Sequence, residues 1–288
     1  MVLLLKYKGN TKQKGSFYFC YVTRYYTIPV PESLTRFVRF FWVFEMDLLP
    51  GQEYVYRSMA DSCTEIVFHY KGNFEELTDT GLTSQPNALL HAQSHQYKRF
   101  LTRESFGIFG AFLYPYVIPY LFNLSSYEAV GQIADLKLLC GNKGRILEEQ
   151  MMLAADNLER VAVFSKFLHQ KLCDKQPEDR VANCVKRILL SDSTLPVKDL
   201  ANHANLSVRQ LERTFKDYVG LSPKLFSRIV RFHSALKQYN SSGTLTEIAY
   251  DCGYYDQSHF IHDFKQFSGY HPKQYFFGKP EGIEWREA

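Results

Sequence analysis

The sequence predicts an α+β protein. A β-rich N-terminal domain with trailing helices, residues 1–175, precedes an all-α C-terminal domain, residues 176–288, with two helix-turn-helix units joined by a long helix. Short aromatic and β-branched runs separated by turn residues predict the first domain, and a helical unit that occurs twice predicts the second. A polar segment around Pro177 marks the expected boundary between them.

The N-terminal domain has the pattern of an antiparallel sheet between Phe17 and Tyr116. Its apolar runs alternate with Pro, Gly and Asn, which end strands and form turns. We therefore expect a β-rich sandwich or barrel. The runs are FYFCYVTRYY, FVRFFWVFEM, EYVYRSM, TEIVFHY, ALLHAQ and FGIFGAFLYPY.

Residues 117–173 change to a helical period. Ser125 with Glu128, and Asp156 with Glu159, fit the capping-box pattern that begins a helix. Several helices should therefore fill this segment.

No catalytic or metal-binding pattern is found in the N-terminal domain. The chain has no G-x-S-x-G, no glycine-rich phosphate loop and no H-E-x-x-H. His91 and His95 are four residues apart, but the run ALLHAQSHQYKRF resembles one strand, along which such residues are about 13 Å apart. Structural histidines are therefore favoured over a metal site, and we expect no enzyme, no cofactor and no metal.

Composition is that of a cytoplasmic globular protein. Of the 288 residues, 45% are hydrophobic and 22% charged, and no apolar run approaches the roughly 20 residues of a membrane span. The six cysteines form no Cys-x-x-Cys pair, which indicates reduced thiols.

The repeated unit is the most informative feature of the chain. Leu245–Tyr275 aligns with Lys198–Phe226, so that Gly269, for example, lies 49 residues after Gly220. Each copy predicts a short helix, a tight turn and a second, capped helix.

In the first copy, Ser207 is the expected cap of a helix over Val208–Val219. A capped helix after a tight turn, with Arg near its N-terminal end, matches a recognition helix in a DNA major groove. Arg213 is the best candidate for a guanine contact, and Lys216 suits a phosphate. The outward-facing residues are Arg209, Glu212, Arg213 and Lys216.

In the second copy, Asp256 is the expected cap. Gln257 can pair with adenine, and His262 can donate to a base or a phosphate. The outward-facing residues proposed for DNA are Gln257, Ser258, His262 and Lys265. A helix from Pro223 to about Tyr239, roughly 25 Å long, should hold the two recognition helices about one turn of DNA apart.

Charge is divided unevenly between the two parts of the chain. Residues 1–179 carry 19 basic and 19 acidic side chains, whereas residues 180–288 carry 15 and 11 and so hold the whole net charge of +4. The repeat-bearing part is therefore the part suited to a polyanion.

These motifs resemble the DNA-binding domain of the AraC/XylS family of bacterial transcription regulators. The resemblance covers about residues 180–277, and its most specific part is GYYDQSHFIHDFKQFSGYHPKQY at Gly253–Tyr275. It implies that six of the outward-facing residues face bases. Those residues are Arg209, Glu212, Arg213, Gln257, Ser258 and His262. The N-terminal domain more weakly resembles a sensor-like domain, which implies effector binding or dimerisation.

The expected function is a sequence-specific DNA-binding transcription regulator controlled by a small-molecule effector at the N-terminal domain. Double-stranded DNA is the expected partner, and RNA polymerase, the unidentified effector and a second copy of the chain are candidates; activation and repression remain alternatives. An alternative is an N-terminal enzyme or sugar-type binding module, with the helical domain attaching it to a partner.

Overall fold

The structure, a computed structural model, describes residues 5–6, 22–172, 174–191, 195–238, 243–278 and 280–281. The predicted strand start at Phe17 and the thiols of Cys20 and Cys173 lie outside these residues.

The described strands form two antiparallel sheets. Their order is β1-β2-β3-β10-β5-β8-β11 in the larger sheet and β4-β9-β6-β7 in the smaller. The strands are β1 (Leu5–Lys6), β2 (Val22–Ile28), β3 (Val38–Met46), β4 (Tyr54–Ser58), β5 (Thr64–Lys71), β6 (Glu75–Thr78), β7 (Gly81–Ser84), β8 (Ala88–His91), β9 (Lys98–Thr102), β10 (Phe106–Leu113) and β11 (Ile133–Asp135).

Side chains on the two faces of β3 pack into two different apolar clusters. Trp42 and Phe44 belong to an apolar cluster that includes residues of both sheets. Phe41 and Val43, on the opposite face, belong to a second cluster that includes the helices. The N-terminal domain is therefore a sandwich of two sheets with helices on the outer face of the larger one.

Helices fill most of the chain after β10. They are α1 (Ile118–Phe122), α2 (Ser126–Ala129), α3 (Leu136–Cys140), α4 (Asn142–Leu153), α5 (Asn157–Leu172), α6 (Asp179–Leu190), α7 (Val197–His203), α8 (Val208–Val219), α9 (Pro223–Leu236), α10 (Leu245–Asp251), α11 (Gln257–Ser268) and α12 (Pro272–Phe277). Short 3-10 turns lie at Glu32–Leu34 and Pro115–Val117.

Three expectations about elements were wrong. The run ALLHAQSHQYKRF is two strands, because β8 ends at His91 and β9 begins at Lys98 in the other sheet, after a turn in which the Ser94 hydroxyl donates to the Gln96 carbonyl at 2.7 Å. The helical segment after residue 116 also contains a strand, β11, which pairs with β8. The long helix α9 ends at Leu236, before the predicted end.

The two domains share one apolar core. The cluster on the outer face of the larger sheet continues from Phe164 of α5 through Val181 of α6 to Phe232 of α9. A short segment, residues 174–178, joins α5 to α6. The position of the C-terminal helices is therefore set by packing against the N-terminal domain as well as by the chain connection.

Candidate nucleic-acid interface

The first helix-turn-helix unit consists of α7 and α8. The Ser207 hydroxyl accepts the Gln210 N–H at 3.2 Å, and the Gln210 side-chain oxygen accepts the Ser207 N–H at 2.9 Å. This reciprocal capping box satisfies backbone groups that the first turn of α8 leaves free. The sequence predicted the cap at Ser207, and the structure adds its partner.

Helix α8 has a buried face and an exposed face. Leu211, Phe215 and Val219 are fully buried, and the ring centroid of Phe215 lies 5.5 Å from that of Phe226 in α9. The opposite face carries the four side chains selected from the sequence, and all four are exposed. These are Arg209, Glu212, Arg213 and Lys216.

The second unit, α10 and α11, repeats this design. Thr244 and Glu247 form a capping box at α10, and the Asp256 carboxylate accepts the His259 N–H at 2.7 Å at the start of α11. The four side chains selected from the sequence on α11 are likewise exposed. These are Gln257, Ser258, His262 and Lys265. Their contacts with DNA stay a prediction.

A buried carboxylate lies beneath the exposed face of α11. Asp263 is fully buried, and Arg228 of α9 donates to its two oxygens at 2.7 and 3.3 Å. The ring nitrogens of His262 and His259 lie 3.5 and 3.8 Å from the same carboxylate. Asp263 therefore fixes α11 to α9. In the sequence, Asp263 lies within the apolar period formed by Phe260, Phe264 and Phe267. A carboxylate on such a buried face needs a cationic partner, so this position indicates a buried charge pair.

The N-terminal domain contacts the first recognition helix through α2. The Ser126 hydroxyl donates to the Tyr218 carbonyl at 2.6 Å. The Lys216 ammonium lies 3.8 Å from the centre of the Tyr127 ring, within the range of a cation–π contact. One cation selected for DNA is therefore already in contact with the N-terminal domain.

A second contact joins the smaller sheet to the end of α11. The Arg57 guanidinium donates to the Ser268 carbonyl at 3.2 Å and stacks 4.0 Å from the centre of the Tyr270 ring. Arg57 and Arg99 both donate to the Glu281 carboxylate, at 3.0 and 2.6 Å. Burial raises the pKa of Glu281. The hydrogen bonds from Arg99 and Arg57 lower the pKa by more than burial raises it, so the net shift is downward. The carboxylate is therefore held in its charged form.

His69 is buried and His91 is half-buried in the N-terminal domain. Burial lowers the pKa of both His69 and His91 to about 4, so both rings are neutral at pH 7. No group of three or more His, Cys, Asp or Glu within the described ranges is arranged to hold a metal ion.

Among the described helices, none has the length and apolarity needed to cross a bilayer.

Two family models match the chain. A helix-turn-helix domain matches residues 200–276, which span both repeated units. A domain of unknown function (DUF6597) matches residues 26–135, which span most of the strands.

Two curated relatives match the C-terminal part. The transcriptional regulator GbdR of Pseudomonas aeruginosa is 32% identical over 94 residues, which are 32% of this chain and 25% of that protein. The transcriptional activator RhaS of Escherichia fergusonii is 30% identical over 88 residues, which are 30% of this chain and 31% of that protein. The match therefore spans about a quarter to a third of the length of these relatives.

The solved structures that match the chain have lower sequence identity. ToxT of Vibrio cholerae bound to an unsaturated fatty acid is 15% identical, with 82% of this chain and 95% of that chain covered and a TM-score of 0.46. The DNA-binding domain of AdpA in complex with a target DNA is 24% identical, with 34% and 90% covered and a TM-score of 0.33.

Proposed function

We infer that this chain, whose C-terminal part is a helix-turn-helix domain of the AraC type, is a sequence-specific DNA-binding regulator of transcription. The observation that carries the inference is the repeat. Two capped helices, α8 and α11, each bury one face against α9 and leave a polar face exposed. Two such readers in one chain suit two neighbouring sites on one duplex.

The proposed binding mode places α8 and α11 in successive major grooves. Helix α9 has 14 residues and is therefore about 21 Å long, and the packed helices at its two ends extend its reach toward the roughly 34 Å of one turn of DNA. Because α9 packs against both units, the spacing of the two readers is fixed before DNA is bound.

We assign different roles to the exposed side chains. Arg213 reads guanine, with Arg209 and Glu212 beside it, and Gln257 reads adenine. Ser258 and His262 complete the second face, while Lys216 and Lys265 neutralise phosphates. With two arginines on its face against none on α11, the first unit should contribute more of the affinity.

The N-terminal domain is the proposed regulatory part. Its contacts with both recognition helices support a role in controlling DNA binding, and a cavity at the domain interface gives a small-molecule effector a place to act. RNA polymerase and a second copy of the chain are further proposed partners, and the chain is proposed to act in the cytoplasm. The proposal assigns no catalytic reaction to it.

A salt titration with matched variants tests this proposal. The affinity of the full chain for double-stranded DNA is measured at increasing salt, with single-stranded DNA of the same sequence as competitor. We expect the logarithm of the binding constant to fall linearly with the logarithm of the salt concentration, and duplex DNA to be preferred.

The charge-matched comparison uses two double variants. Arg209→Ala with Arg213→Ala should weaken duplex binding strongly. Lys71→Ala with Arg103→Ala, which removes two exposed cations of the N-terminal domain, should not. Equal loss in both variants, or equal affinity for single strands, would show that net charge alone governs binding.

A further inference from the structure

A small aromatic cavity lies between the two sheets of the N-terminal domain. Its volume is about 90 Å³, less than the 150 Å³ engineered cavity that holds benzene, so it suits a small group. Rings form most of its wall: the centroid of Trp42 lies 6.4 Å from that of Tyr25 and 6.3 Å from that of Phe112. Glu65 is the one lining residue with a carboxyl group.

The aromatic cavity adjoins a second cavity at the interface with the C-terminal domain. This larger cavity, of about 270 Å³, shares Tyr25, Tyr56, Glu65 and Phe112 with the aromatic cavity, and residues of α9 that include His233 line its other side. A ligand that enters at the domain interface can therefore place one end among the rings. The same ligand would contact the helix that joins the two recognition units.

The carboxyl group of Glu65 makes no hydrogen bond to the described residues of this wall. It faces the space between the sheets, on the same side of β5 as the buried Val67. No hydrogen-bond partner for its carboxyl group lies among the residues that the structure describes. Burial, with a smaller effect of Asp61, raises the pKa of Glu65 well above its usual value. Glu65 is half-buried, and a ligand in the cavity can supply the partner that the apolar wall does not offer its carboxyl group.

The chemistry of the wall selects the charge of the ligand. Aromatic faces attract cations, and this attraction grows when water is excluded. A cation beside Glu65 would also favour ionisation of the carboxyl group and pair with it. An anion would be repelled by the negative faces of the rings and by the nearby Asp61, and a neutral apolar group would leave Glu65 without a partner. The larger cavity is lined by side chains of both charges, Arg39 and Lys237 as well as Asp61. The aromatic cavity therefore determines which ligand charge is preferred.

We propose that the aromatic cavity binds the amine or quaternary ammonium group of a small organic cation, held among the rings and paired with Glu65. This ligand class specifies the proposed effector. Any effect of the ligand on DNA binding therefore rests on the proposed function. The binding itself rests only on the cavity.

Calorimetry with two probes of equal shape tests the proposal. The first probe is choline, and the second is its uncharged isostere, in which carbon replaces the quaternary nitrogen. Because the probes differ in charge alone, we expect the full chain to bind choline about tenfold more tightly or better. Equal affinities, or no binding of either probe, would overturn the proposal.

Three variants assign the effect to residues. Glu65→Gln should remove the preference for choline, whereas Glu104→Gln, at an exposed carboxylate of the same domain, should keep it. Tyr56→Leu, which keeps Glu65, should lower the affinity for choline more than that for the isostere, and it serves if Glu65→Gln does not fold. A preference that survives in both Glu65→Gln and Tyr56→Leu contradicts the assignment.

The binding and DNA measurements are independent. Calorimetry needs no DNA, so absence of choline binding leaves the DNA-binding proposal intact. Conversely, choline binding by a chain that selects no DNA sequence supports the cavity assignment and contradicts the proposed function.

Discussion

Gly220 and Gly269 occupy the same place in the two repeated units, and both lie against the N-terminal domain. Each follows a recognition helix in the left-handed conformation, with φ of +87° and +74°. A Cβ atom at Gly220 would lie 2.7 Å from the Ser126 carbonyl oxygen, and one at Gly269 would overlap the Tyr97 ring. The N-terminal domain therefore contacts both recognition helices at equivalent points, at their C-terminal ends.

Substitution of Gly220 tests the contact with α2. Gly220→Ala adds backbone strain and places a methyl group against the backbone of Ser126. Gly51→Ala is the matched control, because Gly51 has φ of +81° with nothing within 4 Å of an added Cβ. In urea unfolding, Gly220→Ala should lower the free energy of unfolding by about 1–3 kcal/mol more than Gly51→Ala. Equal losses would mean that the contact with α2 adds nothing.

The contact between Tyr127 and Lys216 predicts a gain of DNA affinity. Tyr127→Ala removes the ring that attracts the Lys216 ammonium and leaves this cation available to phosphate. A cation–π contact at an exposed site is worth about 0.5–1 kcal/mol, so DNA binding should tighten about two- to fivefold. In a Lys216→Ala background, Tyr127→Ala should have no effect on the affinity. A gain of the same size in that background would rule out this mechanism.

Arg213 and Lys265 should fail in different ways. Arg213→Ala should cost about 1–3 kcal/mol for the preferred sequence and relax specificity at one base pair. Lys265→Ala should weaken all sequences about equally and reduce the salt slope by about 1. Affinities for a set of single-base variants of the preferred site, at several salt concentrations, separate the two roles. If Arg213→Ala weakens every sequence equally, Arg213 contacts phosphate.

The two histidines with lowered pKa, His69 and His91, predict a loss of stability in mild acid. The pKa of His69 and of His91 is about 4 in the folded chain and about 6.5 when unfolded. Below pH 6.5 the unfolded chain binds protons that the folded chain does not, so stability falls until about pH 4, by up to about 3 kcal/mol for each histidine.

Variants isolate this effect from other titrating groups. The double variant with His69→Gln and His91→Gln should have a flatter dependence of unfolding free energy on pH between about 6.5 and 4 than the wild-type chain. His203→Gln, at an exposed position of α7, should keep the wild-type slope. An unchanged slope in the double variant would show that these two rings do not cause the pH dependence.

Local signals were enough to predict the helix-turn-helix units. Ser207, Pro223 and Asp256 act on the first turns of their own helices, so their positions in the sequence fix where α8, α9 and α11 begin. The period of apolar residues then fixed which side chains are exposed.

Contacts between distant segments could not be predicted in this way. The short polar strands β6 and β7 are stabilised by partner strands, not by their own composition. The pairing of Arg228 with Asp263 and the contact of Tyr127 with Lys216 join residues that only the folded chain brings together. The cavity wall around Glu65 likewise combines side chains from several strands.

Selection of bound sites from random double-stranded DNA by the purified full chain tests the central claim most directly. The two-groove arrangement predicts an enriched motif with two conserved elements about one helical turn, 10–10.5 base pairs, apart. Gln257→Ala with Ser258→Ala should erode one element, and Arg209→Ala with Arg213→Ala the other. Enrichment of no motif would contradict sequence-specific binding, and a single element that only the α8 variant erodes would contradict the two-groove arrangement.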